Sequence, residues 1–197
     1  MRARSIRPRL AALLACGLFA VAAGAPAQVV VQGARYDDSV VVGGEPLVLN
    51  GVGVRKRFVF DIYVGGLYVA KRAVRTEELV GQPGPKRVAL RFLRDVEGEL
   101  FVNSLHVGLK ANHSEAELGR WQKQLDTLTT TIKTIALARR GDTVFFDFTP
   151  QDGTRVSVNG VTRGPLIPGE DFYAAVLRVW LGETPADAGL KKGMLGG

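Results

Sequence analysis

The chain has 197 residues, of which 46% are hydrophobic and 23% charged, values typical of one globular domain with a short appendage. The formal net charge of +7 falls to +3 (22 basic against 19 acidic residues) when residues 1–27 are set aside. So small a charge does not favour a nucleic-acid partner, and we expect none. The only cysteine, Cys16, lies in the same segment, so no disulfide is expected in the remainder.

Residues 1–27 have the three parts of a secretory signal peptide. Arginines at positions 2, 4, 7 and 9 form a basic start, residues 10–24 form an apolar run, and the cleavage motif ends at Ala27. Cys16 is a weaker candidate for a lipidation site, because the apolar run before it is very short. We therefore expect a signal peptide at 1–27, a domain at 28–197 with no membrane span, and a periplasmic or secreted location.

The first half of the domain is rich in strand patterns. Strands are predicted at residues 29–36, 40–42, 47–57 and 58–70, and the last two could also be one bent strand. A short helical turn at 76–79 and a glycine- and proline-rich break at 81–85 follow. Residues 86–93 alternate apolar and polar side chains, which predicts a further strand.

The second half is mixed. Residues 97–110 have a helical pattern, and Ser114 with Glu117 forms a capping box that opens a second helix to about residue 135. Strands are predicted at 143–148, 154–158 and 161–163, with Asn159-Gly160 as a tight turn. Helices at 171–181 and 185–195 complete the chain. This order of elements predicts the α+β class.

Several kinds of chemistry are not indicated. The two histidines, His106 and His113, would lie about 10 Å apart along one helix, too far to share a metal ion. Neither a G-x-S-x-G nucleophile motif nor a complete dinucleotide fingerprint occurs. We expect no metal and no cofactor.

Arg55 and Tyr63 are the polar side chains that carry the best functional signal. Strand alternation places Arg55 on one face with Arg57, Val59, Asp61 and Tyr63. The opposite set, expected in the core, is Phe58, Phe60, Ile62 and Val64. The first face is either solvated or the floor of a ligand cleft. On a straight strand Arg55 and Tyr63 would lie about 26 Å apart, so they share a ligand only if the chain folds back between them.

The chain resembles the chalcone isomerase-like superfamily, in its bacterial exported branch. The resemblance rests on several short segments in a fixed order: LNGVGVR at 49–55, GLYV at 66–69, ANHS at 111–114, VSVNG at 156–160, IPGEDF at 167–172 and VWLG at 179–182. It covers nearly all of residues 29–196.

This resemblance implies an open-faced β-sandwich, with an antiparallel sheet, helices packed on one face and a ligand cleft between them. Arg55 matches the arginine that polarises the substrate ketone in plant chalcone isomerases. Tyr63 stands where the plant enzymes have threonine, and fatty-acid-binding members hold a carboxylate with an arginine and a tyrosine. The helix at 97–110 lacks the tyrosine of the plant enzymes and offers Asn103 as a polar residue.

Three functions follow from the resemblance. The first is a non-catalytic binder of a fatty acid or similar lipophilic anion, with Arg55, Tyr63 and Asn103 as ligand-binding residues. The second is an isomerase of the chalcone-to-flavanone type, an intramolecular lyase of a phenolic substrate in which Arg55 is catalytic. The third is a structural or partner-binding envelope protein whose cleft is filled by side chains. No particular protein partner is indicated.

Overall fold

The structure is a computed structural model that describes residues 28–197, so the predicted signal peptide and its cleavage site lie outside the described residues. The strands are β1 (Gln28–Val31), β2 (Ala34–Asp37), β3 (Ser39–Val42), β4 (Glu45–Arg57), β5 (Phe60–Val69), β6 (Lys86–Phe92), β7 (Val96–Glu97), β8 (Leu137–Ala138), β9 (Thr143–Thr149), β10 (Gly153–Val158) and β11 (Val161–Ile167). The helices are α1 (Thr76–Val80), α2 (Gly98–Asn112), α3 (Glu115–Arg120), α4 (Gln122–Lys133), α5 (Glu170–Leu181) and α6 (Ala188–Met194).

One antiparallel sheet of seven strands organises the fold, in the order β11-β10-β9-β6-β5-β4-β3. The helices α2, α4, α5 and α6 pack on one face of it and bury a continuous apolar core, to which Phe101, Phe146, Phe172 and Trp180 contribute. The predicted α+β class, with an antiparallel sheet and helices on one face, is confirmed. Among residues 28–197 no helix has the length and hydropathy needed to cross a bilayer.

The hairpin formed by β1 and β2 covers part of the opposite face of the sheet. Tyr36 of β2 lies over that face with Leu47, Val64 and Tyr68 in a second, smaller core. Its hydroxyl donates to the carbonyl of Val64 at 2.7 Å, so the buried polar atom is satisfied.

Two elements predicted to be continuous are divided for local reasons. The single strand expected at 29–36 is the β1–β2 hairpin, because Gln32 and Gly33 both take positive φ and reverse the chain. The helix expected to run from the capping box to residue 135 is interrupted at Trp121, between α3 and α4. The capping box itself is confirmed, since Ser114 Oγ accepts from the amide of Glu117.

Helix α6 lies directly across β4, and the glycines of the LNGVGVR segment permit this approach. A Cβ on Gly53 would lie 2.7 Å from Leu190 Cα of α6, and a Cβ on Gly51 would lie 2.7 Å from the amide nitrogen of Gly196. These glycines therefore allow close packing of two backbones, one of the uses that glycine has in strands.

We expect stability to fall steeply above about pH 10, because all four tyrosines are buried. Burial raises the pKa of Tyr68 to about 12 and raises the pKa of Tyr36, Tyr63 and Tyr173 as well. As pH rises past the ordinary tyrosine pKa, the unfolded chain releases protons that the folded chain retains, so unfolding becomes more favourable. Burial lowers the pKa of Lys86, so the ionisation of this group favours the folded chain as pH rises. This single group opposes the effect of four tyrosines.

Urea unfolding at about pH 8 and about pH 11 measures this effect, on either side of the tyrosine pKa. The midpoint should be clearly lower at the higher pH, and a Tyr68→Phe variant should show a smaller decrease. Equal midpoints at the two pH values would show that tyrosine ionisation is not linked to unfolding.

Candidate ligand-binding site

A two-residue turn brings Arg55 and Tyr63 together. The chain reverses at Phe58 and Val59, and β4 and β5 then pair antiparallel with Arg55 directly opposite Tyr63. The Arg55 guanidinium carbon lies 5.4 Å from the centre of the Tyr63 ring, a cation–π distance. The fold-back on which the pairing of these residues depended is therefore present.

The predicted alternation of faces fails close to this turn, although Val64 is buried and Arg55 shares a face with Tyr63 as expected. Phe58 is 90% exposed and Phe60 is 51% exposed, whereas Tyr63 is only 1% exposed. Phe58 lies in the turn, outside both strands, so strand alternation does not apply to it, and on β5 the alternation is shifted by a bulge at which Ile62 has no partner on β4. Such a bulge resets which side chains share a face, so Tyr63 points into the core beneath the helices.

A cavity, here called the Arg55 cavity, lies between helix α2 and the ends of strands β4, β5 and β6 that are near the β4–β5 turn. Its volume is about 220 Å³. Its polar lining consists of Arg55, Arg57, Arg94, Asp95 and Ser104. The rest of the lining is apolar: Phe58, Phe60, Ile62, Tyr63, Phe92, Val96, Leu100 and Phe101. The space beside Arg55 is thus not filled by side chains, which is the opposite of what a purely structural role predicts.

The guanidinium of Arg55 is half-buried and only partly paired. Its Nη2 donates to Ser104 Oγ of α2 at 3.0 Å, while its Nε is buried and has no hydrogen-bond partner in the structure. A buried donor without a partner destabilises a fold by about 1–3 kcal/mol. The Nη1 group of Arg55 makes no hydrogen bond within residues 28–197 and is not among the fully buried atoms, so a ligand oxygen seated against the guanidinium would accept from it.

The lining carries a positive charge. Arg55, Arg57 and Arg94 face the cavity, and Asp95 is the one carboxylate among the lining residues. Asp95 already accepts a hydrogen bond from the backbone amide of Arg140 at 2.8 Å. The cavity therefore favours an anion, or a neutral group with a strongly polarised oxygen.

Tyr63 is held from the helix side of the cavity. The indole Nε1 of Trp180 donates to its hydroxyl oxygen at 2.9 Å, and Phe92 packs edge-on against its ring at 5.6 Å. Burial raises the pKa of the Tyr63 phenol, and the charge of Arg55 opposes that rise only in part. The hydroxyl therefore stays protonated at neutral pH and is a donor rather than a base.

Asn103, the third predicted ligand-binding residue, does not line the Arg55 cavity. It is exposed and faces a neighbouring groove of about 370 Å³ that also borders Arg55 and Ser104. Ser104, which is not among the residues predicted from the sequence, makes the contact with Arg55. Helical periodicity could have found it, because Ser104 is three residues from the buried Phe101 and so lies near the same face.

Trp180 was predicted only as an apolar residue of helix 171–181, and its hydrogen bond to Tyr63 was missed. A buried tryptophan usually finds an acceptor for its N–H, so the residue type gave a signal without naming the partner. The two histidines have ordinary partners: His106 Nε2 lies 2.7 Å from Thr129 Oγ1, and His113 Nε2 lies 3.2 Å from the Ala175 carbonyl. Within residues 28–197 no group of three or more potential ligands is placed to hold a metal ion.

These features describe an α+β domain with a cationic, mostly apolar cavity between its sheet and its helices. The family model described as chalcone isomerase-like matches residues 28–196, so the chain belongs to the chalcone isomerase-like family. The crystal structure of a fatty-acid binding protein of Arabidopsis thaliana is similar, with a TM-score of 0.65 at 18% sequence identity, covering 86% of this chain and 96% of that one. No curated protein matches the sequence.

Proposed function

We propose that the protein is an exported, non-catalytic binder of a fatty acid or a similar lipophilic anion, which it holds in the Arg55 cavity. The observation that carries the proposal is Arg55 itself, a half-buried guanidinium at the edge of a mostly apolar space, whose one side-chain hydrogen bond among the described residues is to Ser104. An arginine in such a place presents a fixed fork of donors that matches a carboxylate.

The shape of the cavity indicates how the ligand would lie. Its volume of 220 Å³ is below the usual range of about 300–1,000 Å³ for small-molecule pockets, so it suits the head and first part of a chain. The aromatic side chains of Phe92 and Phe101 would contact the first methylenes. The remaining tail would pass over Phe58, Phe60 and Leu100, apolar lining residues that are exposed at the mouth.

The similarity in fold to a plant fatty-acid binding protein supports this class of ligand. The proposed exported location rests on the signal-peptide pattern of residues 1–27, and cleavage near Ala27 would place residues 28–197 in the periplasm or the medium.

Two measurements on the purified protein test the proposal. Extraction with organic solvent followed by mass spectrometry should release a fatty acid or a related anion. Calorimetric titration should then show that dodecanoate binds at least about tenfold more tightly than dodecanol, because a hydrogen bond to a charged group contributes about 1.5–3 kcal/mol. If nothing is extracted and neither compound binds, the proposal is wrong. Equal binding of both would show that the cavity does not recognise an anion.

Isomerisation of the chalcone-to-flavanone type remains the second candidate, because the same unpaired N–H groups of Arg55 could stabilise the oxygen of a developing enolate. It predicts loss of chalcone absorbance faster than the spontaneous rate, with the excess abolished in Arg55→Ala. Binding of dodecanoate without such turnover favours the binder.

A further inference from the structure

The turn between β4 and β5 exposes apolar side chains at the mouth of the Arg55 cavity. Phe58 is 90% exposed, Val59 is 87% exposed and Phe60 is 51% exposed. We call residues 58–60 the hairpin tip. Single exposed apolar residues are common on protein surfaces, but three in succession at a projecting turn form a patch that calls for a partner.

The backbone of the hairpin tip is also unusual. Phe58 has φ +54°, in the left-handed region that two-residue turns normally assign to Gly, Asn or Asp. Its ring gains little from packing inside the protein, because it is almost fully exposed. A bulky residue in an unfavourable conformation, held out in solvent, points to a role outside the fold of the chain itself.

Basic side chains surround the tip. Lys56 and Arg57 precede it on β4, and the Arg94 guanidinium carbon lies 4.2 Å from the centre of the Phe60 ring. Among the described residues no ion pair involves Arg57 or Arg94. Asp61, the nearest acid in the sequence, pairs with Lys56 at 3.3 Å. The surface around the tip is therefore apolar at its centre and positive at its rim.

We propose that the hairpin tip docks on an anionic lipid bilayer, with Phe58 and Val59 in the interfacial layer and with Arg57 and Arg94 against the headgroups. The pattern of apolar insertion with a basic rim is the one that binds anionic membrane surfaces. The tip is convex and narrow, which suits a fluid interface. The contact would bring the mouth of the Arg55 cavity to the bilayer, although the inference does not depend on what the cavity binds.

Co-sedimentation with vesicles tests the inference on the ligand-free protein. One set of vesicles contains equal parts of phosphatidylglycerol and phosphatidylcholine, and the other contains phosphatidylcholine alone. The unaltered protein should sediment with the anionic vesicles and much less with the neutral ones, and added salt should weaken the binding, because the attraction of the basic rim is screened.

The test variant is Val59→Asp, since Val59 belongs to the tip but not to the lining of the Arg55 cavity. Its matched control is Val74→Asp, in the loop between β5 and α1 at the far end of β5, where Val74 is 73% exposed. We expect Val59→Asp to weaken partitioning onto the anionic vesicles by about tenfold or more, since it places a charge where the docked protein would insert an apolar side chain into the bilayer interface. Val74→Asp should bind as the unaltered protein does.

Equal binding by the two variants, or no binding by the unaltered protein, would overturn the inference. A second outcome would also overturn it: the protein does not bind vesicles but self-associates in sedimentation velocity, and Val59→Asp removes the self-association. That result would assign the tip to contact between two copies of the chain. Dodecanoate titration of the same samples keeps this result separate from the proposed function. Failure of vesicle binding with normal dodecanoate binding rejects only the docking inference, and the reverse pattern rejects only the proposed ligand.

Discussion

Replacing Arg55 with methionine is expected to weaken dodecanoate binding by about 10- to 150-fold, corresponding to a charge-assisted hydrogen bond of about 1.5–3 kcal/mol. The methionine side chain keeps much of the apolar stem that packs beside Tyr63, so the cavity should retain its shape. Folding stability should change little, because the variant loses the bond to Ser104 but also removes the unpaired Nε. Calorimetric titration measures the affinity, and urea unfolding checks the fold.

Three controls separate the role of Arg55 from general effects. Dodecanol, which has no charge, should bind the unaltered protein and Arg55→Met about equally. Arg35→Met, the same change at an exposed arginine of β2, should leave dodecanoate affinity unchanged. Arg55→Lys keeps the charge but loses the planar fork, so its affinity should be intermediate. Unchanged dodecanoate affinity in Arg55→Met would show that the anion lies elsewhere.

Replacing Gly53 with alanine is expected to destabilise the protein by about 3 kcal/mol, because the added methyl group collides with a backbone. The new Cβ would lie 2.7 Å from Leu190 Cα, and helix α6 would have to move away from β4. A methyl group that meets a flexible side chain could be accommodated, but here the neighbour is main chain. Urea unfolding should show a lower midpoint with little change in slope.

Gly119 of helix α3 provides the matched control for Gly53. A Cβ at Gly119 would meet no heavy atom within 4 Å, and the residue lies inside a helix. Gly119→Ala should therefore stabilise the protein by about 0.5–1 kcal/mol, as the change usually does in helices. If Gly53→Ala were as stable as the unaltered protein, α6 would not pack on β4 as described.

The sequence was sufficient to predict regular elements whose local signals are strong. Residues 86–93 alternate clearly and contain β6 (Lys86–Phe92), and the Ser114–Glu117 capping box opens α3 as expected. From the sequence, the hairpin between β4 and β5 could be given only as a condition for Arg55 and Tyr63 to share a ligand. Neither Phe58 nor Val59 is a residue type that usually marks a tight turn. The pairing of β4 with β5, rather than local preference, holds the chain in that reversal.

The candidate site was predicted only in part. Arg55 was found through a motif, and its pairing with Tyr63 depends on the turn and on the bulge at Ile62, which no periodic pattern reveals. Ser104 was missed in favour of its neighbour Asn103, although the helical face of Phe101 pointed to it. Trp180 could be predicted to need an acceptor, but the identity of that acceptor requires the fold.

The most direct test is a crystal structure of the protein grown with dodecanoate. We predict that a carboxylate oxygen lies within about 3 Å of a guanidinium nitrogen of Arg55, the ordinary distance for such a hydrogen bond. The alkyl chain should begin against the rings of Phe92 and Phe101, which pack edge-on against each other, and leave the cavity past Phe60. A carboxylate bound away from Arg55, or an Arg55 cavity that stays free of dodecanoate in crystals saturated with it, would contradict the account.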